Sequence, residues 1–238
     1  STMARATADW ILDRQEVNQS KWGWGGFYED QARTRQTSLS NARTMHGLLI
    51  YWEFISTTVE DLRIFYEPLR DRLVAWAEGF FGKMRDQFGA PYSARTAEAV
   101  KTYPKKTLDA AELMRDIGMI WVDHGEPKYW SWTELTYRWL KGGNEAGLDL
   151  QQARNLKGQL GGFYEGIEET GETDSHSTTL TTVACTEAML YALYIDVLEF
   201  QTPSITLAIG LLIFTVTYRK RRKELSVTKN MQRHPPLQ

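Results

Sequence analysis

Leu12-Asp13-Arg14-Gln15, nine further residues, then Gly25-Gly26-Phe27-Tyr28-Glu29: this stretch decides the fold, because it comes back. It returns 136 positions later, with eight identities in register, as Leu148-Asp149-Leu150-Gln151, nine residues, then Gly161-Gly162-Phe163-Tyr164-Glu165. Repetition on this scale marks an array whose units bury their apolar faces against one another. The segment after each copy repeats as well. A polar loop leads from Glu29 to Ser38-Leu39-Ser40-Asn41, and a loop five residues longer leads from Glu165 to Thr179-Leu180-Thr181-Thr182. At the resulting offset of 141, Leu39, Ala42, Leu49 and Trp52 match Leu180, Val183, Leu190 and Leu193, positions that share one helical face. Ser38 and Thr179 are expected to start those helices, since a hydroxyl satisfies an orphan backbone N–H. Each unit, about 10–53 and 146–194, thus reads as helix, Gly-rich aromatic turn, polar loop and helix.

Between the units the 3.6-residue period continues. Leu69, Leu73, Trp76, Phe80, Met84 and Phe88 mark one amphipathic helix, near Pro68 at its start and closed by Gly89-Ala90-Pro91. Leu108, Ala111, Met114, Ile117 and Trp121 mark a second, closed by His124-Gly125-Glu126-Pro127. Tyr129 to Leu140 is aromatic-rich and ends at Gly142-Gly143, which brings the count to about seven helices. Sustained period-two alternation is missing, so the class is mainly α.

The 238 residues make one domain, or one domain with an appendage. The single cysteine, Cys185, rules out an internal disulfide and any multi-cysteine metal site, and its place on an apolar helix face reads as core. Charge is unevenly placed. From Arg219 onward there are seven Lys/Arg and one acid, so residues 1–218 carry −8 of a total of −2. An acidic body does not suit nucleic acid, whose phosphates demand a basic face.

The uncharged run Ser204 to Tyr218 (SITLAIGLLIFTVTY) is followed at once by Arg219-Lys220-Arg221-Arg222-Lys223. A basic stop of this kind is expected of the cytoplasmic flank of a membrane helix. The expected organisation is a helical domain over 1–200, a transmembrane helix over 201–218 and a basic cytoplasmic tail over 219–238. That topology puts the domain outside the cytoplasm. Residues 1–20 hold no apolar signal-peptide core, so the expectation includes a removed signal or a longer chain upstream.

Trp10-Ile11-Leu12-Asp13-Arg14-Gln15 with Lys21-Trp22-Gly23-Trp24-Gly25-Gly26 resembles the Gln–Trp repeats of terpene-cyclase and prenyltransferase toroids. Gly161-Gly162-Phe163-Tyr164-Glu165-Gly166, with the helix ending Ala188-Met189-Leu190-Tyr191-Ala192-Leu193, is similar to modules of bacterial glycan-active α/α toroids. The resemblance covers about a third of the chain. It implies an (α/α)-toroid array of helical hairpins in which Tyr-Glu turns line a central cleft. The sequence also departs from those families. The Asp-rich motifs of the cyclases and prenyl synthases, the prenyltransferase zinc set and the Cys-Gly-Glu-Gln thioester are absent. Seven helices also fall short of the twelve of a closed toroid, which truncation upstream of Ser1, an incomplete arc or a partner chain completing the ring would each explain.

That implied cleft makes Glu29 and Glu165 the candidate carboxylate pair, with Asp30 beside the first. Glycoside cleavage needs two such groups, one to give a proton and one to act as base or nucleophile. Trp22, Trp24, Phe27, Tyr28, Phe163 and Tyr164 are the candidate sugar-stacking surfaces. The alternative is that Tyr-Glu belongs to the turn's own hydrogen bonding. His176, in the loop lengthened in the second unit, is the candidate proton carrier, and His124 is a second loop candidate. His46 lies beside its helix's apolar face and reads as core or as support for a site. No ligand spacing points to a metal, and no cofactor is specified. The expected function is a membrane-anchored toroid that binds or processes a glycan, hydrolase- or lyase-like. A non-catalytic scaffold of a membrane complex and an isoprenoid-handling toroid are the rivals.

Overall fold

The computed structural model describes residues 2–58, 63–99, 102–154, 160–173 and 179–200. The chain divides into two units, Ser1–Leu193 and Tyr194–Gln238. The second is described only over 194–200, which are helical. The first is a run of three helical hairpins. Hairpin 1 pairs α1 (Thr2–Leu12) with α2 (Ser38–Thr58). Hairpin 2 pairs α3 (Arg63–Ala75) with α5 (Thr107–His124), and α3 runs on through a π-helical turn, Trp76–Phe81, into α4 (Gly82–Met84). Hairpin 3 pairs α6 (Pro127–Leu140) with α7 (Thr179–Phe200).

The middle hairpin is a third copy of the duplicated unit, hidden because its turn has a different sequence. In all three the tyrosine N–H of the turn donates to a carbonyl at or after the end of the first helix: Tyr28 to Arg14 (3.4 Å), just past α1, Tyr92 to Met84 (3.0 Å), the last residue of α4, and Tyr164 to Leu150 (2.9 Å), in a 3₁₀ turn that follows α6. The residue before that tyrosine is Phe27, Pro91 or Phe163. The Phe27 N–H donates to Asn41 Oδ1 (2.7 Å) and the Phe163 N–H to Thr182 Oγ1 (3.4 Å), both in the second helix. Pro91 has no N–H to satisfy. Its counterpart position on α5 is accordingly Ala110, fully buried. The three second helices begin in register as Ser38-Leu39, Thr107-Leu108 and Thr179-Leu180.

Short strands staple hairpin to hairpin. β1 (Arg35–Thr37) pairs antiparallel with β2 (Ala94–Thr96), and β3 (Lys105–Lys106) with β6 (Gly166–Ile167). β4 (Ala153–Arg154) and β5 (Leu160–Gly162) close a small ribbon within the third hairpin. Strands of two or three residues are too short to show alternation, so periodicity gives no sign of them. The expected cap at Ser38 is corrected. Thr37 Oγ1 accepts the Ser40 N–H (3.3 Å), while the Ser38 hydroxyl donates to the Tyr92 carbonyl of the next hairpin (2.5 Å).

Two apolar clusters fill the first unit, and α5 feeds both. Leu113, Ile117 and Ile120 face a cluster with Met45, Leu49, Trp76, Phe80 and Phe81. Ala110, Ala111 and Met114 face another with Trp139, Phe163, Ile167 and Cys185. A helix flanked on both sides is apolar nearly all round, and α5 is buried over most of its length. Phe88, expected to end the preceding helix, lies beyond it in the turn, because the helix stops at Met84.

Arg95 of β2, 1 % exposed, locks the first seam. Its guanidinium donates to Gln36 Oε1 (2.7 Å), the Gly79 carbonyl (3.0 Å) and the Trp24 carbonyl (2.9 Å). Burial draws its pKa down to about 10, so it stays charged and is satisfied by neutral oxygens. Gly25 explains the doubled glycine. Its φ is +81°, and a Cβ there would stand 2.2 Å from the Ala75 carbonyl oxygen.

Candidate functional site

The second helices α2 and α5 bring their N-terminal ends together beside the turn of hairpin 3. A cleft of about 310 Å³ opens there, lined by Leu39, Lys106, Leu108, Asp109, Glu165 and Glu168, with Pro104 and Gly166. The Glu165 carboxylate accepts the Thr181 hydroxyl at 3.2 Å, and the Glu165 carbonyl accepts the Thr107 N–H (2.9 Å) at the start of α5. The turn glutamate of hairpin 3 is therefore pinned at the junction of α5 and α7.

Asp109 sits in the first turn of α5, 2 % exposed, with Oδ1 buried and no hydrogen-bond partner among the described residues. Burial pushes its carboxyl up to about 7, with Glu112 adding to the rise and Lys106 and Arg43 opposing it. Near neutral pH this acid is poised to give or take a proton.

Below it runs a stripe that no sequence motif announced. Asp109, Glu112 and Asp116 stand three and four residues apart on one face of α5, opposite Arg43 and His46 of α2. Arg43 Nε lies 3.5 Å from Glu112 Oε2. His46 Nδ1 lies 3.1 Å from Asp116 Oδ1, which also accepts from Arg115 Nε at 3.2 Å. Asp116 is fully buried, and that burial raises its carboxyl pKa against the pull of His46 and Arg115. Asp109 Oδ1 and Asp116 Oδ2 are buried without a hydrogen-bond partner among the described residues, and the equally buried Glu112 Oε2 is met by the Arg43 guanidinium. An unmade bond on a buried carboxylate costs about 1–3 kcal/mol or more, so such atoms are uncommon in folded proteins. Two along one stripe mark a surface shaped for something other than stability. The signal was in the sequence, as acids at helical spacing inside an otherwise apolar helix.

The sequence candidates scatter. Glu165 lines the cleft; Glu29 is not part of that wall. The Glu29 carboxylate accepts the Thr37 hydroxyl and lies 3.9 Å from Arg35 Nε. Asp30 accepts from the Thr34 N–H (3.0 Å) and hydroxyl (2.5 Å), bonds that hold its carboxyl below the usual range. It shares a separate hollow of about 320 Å³ with Trp10, Arg14, Tyr28 and Arg33. Tyr28 donates to Glu16 Oε2 (3.3 Å) and meets Trp22 edge to face at 5.4 Å. Trp24 packs against Gly79 of the π-helical turn. Phe27 and Phe163 are corrected: at 3 % and 0 % exposure they are core, with no face left for a sugar. Tyr164 is half-buried against the second cluster. His124, half-buried at the end of α5, accepts from Arg70 Nε (3.2 Å), and its burial draws its pKa down.

His176 and the apolar run 204–218 lie outside the described residues. Among the described residues no helix is long and apolar enough to cross a membrane. Among them, too, no group of three or more His, Cys, Asp or Glu side chains is arranged to hold a metal ion.

No protein-family model and no curated protein matches the chain. Solved structures do. A sugar epimerase from a ruminal bacterium superposes with a TM-score of 0.54 at 11 % identity, over 82 % of this chain and 50 % of its own. Cellobiose 2-epimerase from Spirochaeta thermophila superposes with a TM-score of 0.53 at 14 % identity, over 90 % of this chain and 54 % of its own. The three hairpins are thus a partial α/α toroid, and the chain spans about half the length of the structures it matches.

Proposed function

We propose that this toroid arc processes a glycan by proton transfer in the cleft at the N-terminal ends of α2 and α5, with Asp109 and Glu165 as its working carboxylates. The carrying observation is Asp109: a carboxyl tuned to about 7, lining the same cleft as a second acid. A carboxyl that keeps its proton near neutral pH can serve as donor beside a second acid in the same cleft. Asp109 holds the proton, and Glu165, fixed by Thr181, takes the complementary role of base or nucleophile. The His46–Asp116 pair supports the wall behind them. Its carboxylate orients the imidazole as oriented bases require, and makes His46 a further proton carrier for a sugar reaching that depth.

Several features weigh against the rivals. An isoprenoid cavity calls for apolar walls with at most one acid, whereas this cleft carries Asp109, Glu165 and Glu168 beside Lys106. A scaffold role leaves the buried oxygens Asp109 Oδ1 and Asp116 Oδ2 without a purpose. Both superposed proteins are sugar epimerases, which supports a saccharide as the ligand class, and the proposal extends that reading to this chain. The location at a membrane through residues 204–223 is proposed on sequence composition, and resistance of membrane-fraction protein to alkaline extraction tests it.

The deciding experiment assays Asp109→Asn and Glu165→Gln on a panel of oligosaccharides, following reducing-end release and, in D₂O, exchange of sugar carbon-bound protons by NMR. Loss of about 10²–10⁴-fold in turnover for each is expected. Turnover by the unaltered chain that both substitutions leave intact sinks the assignment.

A further inference from the structure

We propose that a second hollow, on the other face of β3 from the cleft at Asp109, is a binding site for a neutral saccharide unit. The two hollows share no lining residue. Neighbours in sequence part between them: Lys106 and Glu168 line the cleft at Asp109, while Lys105 and Glu169 line the second hollow. Alternation along β3 explains the two lysines, since successive strand residues point to opposite faces. At about 600 Å³ the second hollow is the larger of the two, and it falls within the range of small-molecule sites, about 300–1,000 Å³.

A buried ion triad forms its inner wall. Lys105, whose side chain is 3 % exposed, donates to Asp86 Oδ2 and to Glu145 Oε1 (2.5 Å). Asp86 is fixed from the other side by the N–H groups of Phe88 (2.9 Å) and Ala90 (3.1 Å). Glu145 is fixed by the Trp139 indole N–H, which donates to Oε2 at 3.0 Å. Each Glu145 oxygen thus has a partner, whereas a carboxylate can accept about four hydrogen bonds in all. With its side chain 20 % exposed, Glu145 offers the hollow an acceptor held in a set orientation.

Arg85 lines the same hollow and is held differently. Its guanidinium lies over the Trp132 ring (4.8 Å), and it makes no ion pair among the described residues. Its Nε is buried without a hydrogen-bond partner among them. A cation fixed by a ring face keeps its N–H groups for another acceptor. Lys105 and Arg85 balance Asp86 and Glu145, so the inner wall has no net charge, and Glu169 lines the hollow as an exposed residue. An ion of either sign gains little from such a wall. A hydroxyl gains twice, because it can donate to the fixed carboxylate and accept from the guanidinium.

Aromatic rings complete the lining. Tyr103 and Phe88, both half-buried, give the hollow its ring faces. Tyr92, 6 % exposed, backs Tyr103 edge to face at 5.3 Å. The Lys105 ammonium, 5.4 Å from the Tyr103 ring centre and 5.0 Å from that of Tyr92, holds the two rings beside the triad. Such rings receive the C–H face of a ligand whose hydroxyls turn to the charged groups. A sugar ring carries both, with hydroxyls around its edge and C–H bonds on its faces. The lining therefore selects an uncharged, polyhydroxylated ring. That ligand class coincides with the one proposed for the cleft at Asp109 and does not depend on it.

The indole N–H of Trp139, bonded to Glu145, gives a local readout. The full chain, with isotope-labelled tryptophan and in a sugar-free polyoxyethylene detergent, is titrated with cellobiose, maltose and mannobiose by NMR, and Trp139→Phe identifies the resonance. A saturable shift of that resonance with at least one disaccharide is expected. Glu145→Gln and Arg85→Gln are each expected to weaken binding at least about tenfold with an unchanged circular dichroism spectrum, since each removes a charged hydrogen-bonding group. Should Glu145→Gln fail to fold because Lys105 loses a partner, Arg85→Gln decides alone. Digalacturonate, an anionic disaccharide, is expected to bind at least about tenfold more weakly than the best neutral one. Asp109→Asn/Glu165→Gln chains are expected to keep the shift, so a failure of the proposed reaction and a failure of this site read out separately. Any of four results overturns the proposal: no disaccharide moves the indole resonance, Arg85→Gln binds as tightly as the unaltered chain, digalacturonate binds as tightly as the neutral sugars, or the shift disappears with Asp109 and Glu165.

Discussion

Hairpins 1 and 3 carry the same Gly-Gly-Phe-Tyr-Glu turn, and they put it to different uses. Their backbone wiring is common: the tyrosine N–H closes on a carbonyl of the segment after the first helix and the phenylalanine N–H on the helix that follows. The glutamates part company. Glu29 is engaged by Thr37 and Arg35 of its own hairpin, while Glu165 lines the cleft beside Asp109 of the neighbouring one. Duplication preserved what the backbone needs in order to turn. Each side chain's role was left to whatever hairpin came to lie beside it.

Activity breaks the comparison most sharply. Glu165→Gln is expected to lower turnover about 10²–10⁴-fold, and Glu29→Gln to leave it nearly unchanged, measured on the same oligosaccharide. Equal losses would restore the two glutamates as a working pair. Next comes what the hairpins share. Phe27→Ala and Phe163→Ala each empty a core site and are expected to cost about 3–5 kcal/mol in denaturant unfolding. A small cost at Phe163 alone would mean that the third hairpin is only loosely docked.

The pH response of Asp109 tests the hairpin between them. Folding raises its carboxyl from 3.8 to about 7, so the native state holds a proton that the unfolded chain releases. Its stabilising contribution is complete below about pH 4 and is lost as pH rises through about 7. Asp109→Asn is therefore expected to flatten the fall in unfolding free energy over that window by on the order of a few kcal/mol. A profile parallel to that of the unaltered chain would show that Asp109 is ionised throughout. The smallest contrast concerns the turn acceptors. Asn41 accepts from the Phe27 N–H and donates to the carbonyls of Phe27 (3.0 Å) and Thr37 (2.9 Å). Asn41→Ala should cost about 2–3 kcal/mol, and Thr182→Ala, with its longer bond to Phe163, about 1 kcal/mol.

The helices were legible because burial on one face leaves a 3.6-residue imprint, and the repeat was legible because glycines at close approaches tolerate no substitute. The middle hairpin was not. Its turn uses Pro91 where the others use phenylalanine, and its partner position changes from Asn41 to Ala110, so the identities vanish while the geometry stays. Half of the proposed carboxylate pair, Glu165, stood out through the motif. Its proposed partner Asp109 did not, because an acid in the first turn of a helix ordinarily reads as a favourable charge at the positive end of the dipole.

By itself the sequence determined a mainly helical array of repeated hairpins, an acidic body and a basic tail, since periodicity, glycine spacing and charge are local properties of the chain. Which carboxylates meet in a cleft and which aromatic rings are spent on the core were decided by tertiary structure alone. Those outcomes depend on which hairpin lies against which, and on how far each carboxyl is withdrawn from water.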